Sequence, residues 1–128
     1  MGFGTNGLSF NTLRGAGIRR QQHPKYAKCA EWDHSKWLQA VVGELGEFAN
    51  DAKKFDRGDL TESEFREKAT KELADVVTYV DSLAAYLGID LGRAVVDKFN
   101  EVSERIGSNV FMTHNDDWYL KREETESV

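Results

Sequence analysis

Two acidic pairs, Glu44-x-x-Glu47 and Glu72-x-x-Asp75, each fall inside a run with helical periodicity. Side chains three apart on an α-helix leave from one face, because a turn takes about 3.6 residues. Each helix therefore turns two carboxylates toward a common point. Glu44 interrupts the apolar stripe Trp37, Ala40, Val41, Phe48 and Phe55, with Glu47 at its edge; Glu72 and Asp75 lie among Phe65, Ala69, Val76, Tyr79, Leu83 and Leu87. Amphipathic helices normally keep carboxylates on the opposite face. Four such groups brought together repel by roughly 4 kcal/mol for each pair about 4 Å apart at an intermediate effective dielectric. A cation is expected among them, and all-oxygen ligands favour hard Mg²⁺ or Mn²⁺.

The remaining elements follow from caps and breakers. Ser9 caps an expected first helix from about Phe10 to Gln21, which His23-Pro24 ends. Gly15 and Gly17 each weaken it by up to about 1 kcal/mol, so it is expected to lean on tertiary contacts or on close approach of a neighbour. Asp33 or Ser35 caps a second helix from about Lys36 to Phe55. The pair Thr61 and Glu64 reads as a capping box that opens a third, running to Leu87. Asp90 caps a fourth, from about Leu91 to Ile106, stopped by Gly107. On the third helix a second apolar strip, Leu73, Val77, Val80 and Ala84, widens the arc beyond what one neighbour covers. That helix is expected to be sandwiched, centrally in a bundle or at a subunit interface. The glycine-rich start up to Leu8 and the polar tail ending Lys121 to Glu126 read as loose and frayed.

At 128 residues the chain is expected to form one domain. Its net charge of -5 argues against a duplex-DNA binder working through a broad basic surface. Cys29 is the only cysteine, which excludes an intramolecular disulfide and a Cys-rich zinc site. A reducing cytoplasm fits, and neither a secretory signal nor a bilayer-spanning stretch is read. Phosphate-loop, dinucleotide and nucleophile-elbow motifs are missing. A di-iron bundle would want His where Glu47 and Asp75 stand.

Lys98 sits inside the stripe Leu91, Ala94, Val95, Val102 and Ile106, and wants an anionic partner unless its ammonium snorkels to water. Lys54, at the end of the second helix, reads equally as a phosphate contact or as a cation favoured at a helix C-terminus. Trp37 reads as a core residue or as a platform for a base.

The double motif, Glu44-x-x-Glu47, then 24 residues, then Glu72-x-x-Asp75, resembles the MazG-like all-α nucleoside triphosphate pyrophosphohydrolases, with dimeric dUTPases and dCTP pyrophosphatases as relatives. Residues 35 to 107 carry most of the likeness, and Leu8-Ser9-Phe10 leading into a helix is similar to compact members common in bacteriophages. The resemblance implies an all-α, four-helix module over residues 1–107, a tail over 108–128 ordered in part at most, and a homodimer or homotetramer assembled through the long helices. It implies two or more Mg²⁺ ions held by Glu44, Glu47, Glu72 and Asp75, and cleavage of a (deoxy)nucleoside triphosphate to monophosphate and pyrophosphate. With it come the expected roles: Glu47 as general base, Lys54 and Lys98 on the phosphates, Trp37 on the base, and control of dNTP pools with a purine preference. Relatives carry an asparagine four residues after the lysine. Here Val102 stands there and Asn100 lies nearly opposite, so Asn100 is expected to touch the nucleotide if it faces another subunit. The alternatives are a non-catalytic nucleotide-binding module and a structural helical dimer whose carboxylates are paired by basic residues.

Overall fold

The computed structural model describes residues 7–123, so residues 1–6 and 124–128 of the segments read as loose lie outside it. In chain order come α1 (Phe10–Arg20), a 3₁₀ helix (Pro24–Glu31), α2 (His34–Asp56), α3 (Glu62–Tyr86), α4 (Leu91–Ile106), β1 (Val110–Met112) and β2 (Trp118–Leu120). The fold is mostly helical, as expected, with a small antiparallel ribbon added. None of the described helices is long and apolar enough to cross a membrane. The chain divides into two compact units that meet in sequence between Ile89 and Asp90.

The helix starts lie where short polar side chains can replace missing backbone partners. Ser9, Asp33 and Asp90 each accept from the backbone N–H three residues on, at 3.0, 3.1 and 3.1 Å. Thr61 and Glu64 form the reciprocal box: the Glu64 N–H donates to Thr61 Oγ1 at 3.1 Å, and the Thr61 N–H donates to Glu64 Oε1 at 3.0 Å. Gly107 closes α4 with φ of 73°, a left-handed conformation that a Cβ would strain.

In the first unit α2 and α3 pack together, and α1 packs on α3. Trp37, Val41 and Ala84 are its buried apolar residues. Further along the pair, Phe65 stacks on Phe55 with centroids 4.7 Å apart and meets Phe48 edge-on at 6.0 Å. These are the stripes read from the sequence, and they fix the faces that α2 and α3 turn to each other.

No neighbour closes on the glycines of α1: a Cβ at Gly15 or Gly17 would meet open space. An ion pair adds to the packing of the helix on α3. Arg14 Nη2 lies 3.1 Å from Asp81 Oδ1, and Arg14 Nε donates to both carboxylate oxygens at 3.3 and 3.2 Å. Nη2 also donates to the Ile89 carbonyl at 2.8 Å. Asp81 is only 4% exposed, and a carboxylate so placed requires a fork of donors like this one.

In the second unit α4 packs against β1. The covered side of α4 runs through Val96 and Ser103, while Val95, Phe99 and Ile106 are exposed, so the stripe expected on this helix is covered only in part. The ribbon pairs Val110 with Leu120, Phe111 with Tyr119 and Met112 with Trp118. Phe111 is buried, and the Tyr119 ring stacks on it at 5.9 Å. At the turn the Thr113 N–H donates to the Asp117 carbonyl at 2.8 Å, and Asp116 takes a positive φ of 59°, which short polar residues tolerate.

Candidate functional site

α2 and α3 bring three carboxylates together. One oxygen each from Glu44, Glu72 and Asp75 lies within 4.8 Å of the other two. Glu44 and Glu72 are half-buried and Asp75 is exposed, so the group opens to solvent on one side. Glu72 Oε2 is buried without a hydrogen-bond partner. A buried oxygen left unpaired costs about 1–3 kcal/mol, more when charged, and calls for a ligand. A hard divalent cation would satisfy it with these donors, so the residues fit a Mg²⁺ or Mn²⁺ ion.

Electrostatics agree with crowding. The Glu44 carboxyl is pushed up from 4.5 to about 7, first by burial, then by a hydrogen bond with Glu72, then by the charges of Glu47, Asp75 and Glu72. Without an ion the cluster therefore keeps a proton near neutrality. In the unfolded chain Glu44 titrates at its ordinary value, so between about pH 4.5 and 7 the folded protein binds more protons. Metal-free stability should consequently fall as pH rises through that window. Allowing for solvent screening of a half-exposed group, the loss is about 1 kcal/mol, or a few degrees in Tm. Thermal melts in chelator at pH 5 and pH 7.5 test this, and Glu44→Gln should abolish the difference; a Tm that rises over the window in the unmodified protein, or an unchanged slope in the variant, would contradict it.

Glu47, expected as a ligand, lies outside this trio. It is exposed on α2, and its charge still acts on Glu44. Lys54 is exposed in the last turn of α2. On α4, Lys98 is exposed and pairs with Glu101 at 3.2 Å. Asn100 donates Nδ2–H to the Met112 carbonyl at 2.9 Å and accepts from the Met112 N–H at 2.8 Å, clasping β1 to the helix.

Beside the trio is a cavity of about 150 Å³ between α1, the 3₁₀ helix, α2 and α3. Trp37 forms part of its wall and is itself buried, set edge-on against Trp32 at 4.8 Å and tilted to Tyr79 at 6.3 Å. Asp75 lines the cavity and also belongs to the carboxylate trio. Tyr79 stands between the two: burial first, then the Glu44 and Asp75 charges, raise its pKa, so its hydroxyl stays protonated. Trp37, expected to hold the base, thus lies in the wall of this cavity. Tyr26, Cys29, Thr78 and Ser82 are walls that the helical stripes did not reveal. A signal for part of them exists, since Asp75, Thr78 and Ser82 follow each other on α3 at spacings of three and four. Against known proteins, the chain matches no family model and no curated sequence.

Proposed function

We propose that the protein hydrolyses (deoxy)nucleoside triphosphates to the monophosphate and pyrophosphate with Mg²⁺. The observation that carries the reading is the carboxylate trio, with its unpartnered Glu72 oxygen, sharing Asp75 with an aromatic cavity. Glu44, Glu72 and Asp75 hold the cation. When bound, it supplies charge neutralisation for the phosphate oxygens and a more acidic water.

The chain's own groups do the rest. Glu47, close enough to act electrostatically on Glu44 yet exposed, accepts a proton from water as its oxygen attacks the α-phosphorus. The α–β bridging bond breaks and pyrophosphate leaves with its electron pair. Lys54 lies about 15 Å along the α2 axis from Glu44, where its ammonium meets the outer phosphates, and Trp37 with the cavity takes the base. Asn100 already holds β1, so a nucleotide contact from it comes through its remaining hydrogen-bonding capacity and toward another subunit.

Assembly of the four helices into a homodimer or homotetramer belongs to this reading. Its support is an uncovered apolar face: Leu38, Val42 and Leu45 on α2, and Leu73 and Val77 on α3, are 46–59% exposed. Light scattering should give two or four times the 14.5 kDa chain mass; a monomer would remove this part.

Product identity tests the reaction. With Mg²⁺ and each common triphosphate in turn, pyrophosphate and monophosphate are expected in equal amounts. Orthophosphate with a diphosphate product would overturn the reaction assignment, and binding without turnover would overturn the enzyme.

A further inference from the structure

The cavity beside the carboxylates has a size and a polar edge that narrow what it takes. We propose that it seats a single-ring, pyrimidine-type base, read by Gln21 and Ser82. The inference rests on the nucleotide reading above and adds the class of base to it.

Size comes first. A cavity of about 150 Å³ matches the roughly 150 Å³ that accommodates a benzene-sized guest. One six-membered ring fills it, and the second ring of a purine is left outside. This favours a pyrimidine over the purine preference expected from the sequence. The walls suit a flat heterocycle, because Tyr26, Trp37 and Tyr79 offer aromatic surface on which ring edges and faces pack favourably.

Polarity comes second. Among the described residues that line the cavity, the Thr78 hydroxyl donates to the Ala74 carbonyl at 2.9 Å, so only its lone pairs remain to accept. Among the described residues, the side chains of Gln21 and Ser82 have no hydrogen-bond partner. The Gln21 carboxamide offers a donor and an acceptor side by side, the complement of the N3 edge of a pyrimidine. Rotated one way it matches N3–H with O4, as in uracil and thymine; flipped, it matches N3 with the amino group of cytosine. Ser82 can give or take one further bond. With the ring so placed, the sugar and phosphates leave past Asp75, the wall shared with the carboxylate trio.

Cys29 supplies a direct readout. It is the chain's single cysteine, it is a free thiol, and it lines the cavity. The full-length protein in chelator, with no divalent ion, is alkylated with iodoacetamide in the presence of millimolar thymidine, deoxyuridine, deoxycytidine, deoxyadenosine or deoxyguanosine. The pyrimidine nucleosides should slow Cys29 modification several-fold, in a concentration-dependent way, and the purine nucleosides should do so much less. Gln21→Ala and Ser82→Ala, with helix content unchanged, should each weaken that protection, and Gln21→Glu should alter the order among the three pyrimidines. Equal or better protection by purines, or none by any nucleoside, overturns the proposal. Because neither metal nor phosphate is present, the outcome separates from the product assay. Protection without turnover leaves the base site standing and removes the enzyme; turnover without protection does the reverse.

Discussion

Glu44→Gln and Glu72→Gln are each expected to lower Mg²⁺-dependent pyrophosphate release by at least roughly 100-fold, since even residues one shell behind a metal ligand are worth 10–100-fold. Helix content should be kept, for a reason visible in the cluster. Glu44 near neutrality already holds a proton in the absence of an ion, and a glutamine has the shape of that protonated acid. Glu44→Gln should therefore leave the metal-free protein at pH 8 as stable as before or slightly more so, and Mn²⁺, expected to raise the Tm of the unmodified protein, should give the variant no such gain. Glu72→Gln places an amide at the oxygen that has no partner, so it loses the ion in the same way. Activity assays with melts in chelator and in Mn²⁺ check both claims. Retained activity in either variant would remove the trio from the chemistry, and loss of helix content would recast it as structural.

The second large effect concerns stability. Arg14→Ala is expected to cost about 3–5 kcal/mol, because it leaves the Asp81 carboxylate buried without its donors. Asp81→Asn should cost less, since a carboxamide oxygen still accepts from the guanidinium. Replacing both with apolar residues of similar volume should recover most of the loss, since a buried ion pair contributes little beyond what good packing would. The Arg57–Asp59 pair gives the contrast. Both partners are more than half exposed, and Arg57→Ala should change stability by no more than about 1 kcal/mol. Urea unfolding of the four variants measures the series. Equal costs for Arg14→Ala and Arg57→Ala would show that the Arg14 pair is not held away from water as described.

The elements that were legible in the sequence are those with a local cause. Ser9, Asp33, Thr61 with Glu64, Asp90 and Gly107 mark helix ends through bonds made within three or four residues, and each cap is found in place. Glu44, Glu72 and Asp75 could be singled out because a carboxylate inside a stripe is a violation of periodicity. Glu47 differs because i and i+3 are separated by about 60° on a 3.6-residue turn: Glu44 falls within the face toward α3, and Glu47 falls past its rim. The 3₁₀ helix from Pro24 to Glu31 carries no 3.6-residue pattern, and the two short strands give too few alternating positions for a period of two to register. Least legible of all was Arg14 with Asp81, whose partners lie 67 positions apart. Nothing near either residue in the chain announces the other. The same holds for Asn100 and Met112, where a polar residue on a helix is satisfied by backbone that only the folded ribbon supplies.

The light anchorage of α1 bears on the order in which the first unit comes apart. The helix contains two glycines and no buried residue, while the α2–α3 pair carries the aromatic contacts and most of the apolar burial. Releasing α1 breaks the Arg14 ion pair, its bond to Ile89 and the packing of α1 on α3, and leaves the aromatic contacts between α2 and α3 in place. A protein so constructed opens locally before it opens globally. Since Gly17 and Arg20 of that same helix line the cavity, local opening of α1 would also open one wall of that cavity, with the carboxylate trio left assembled.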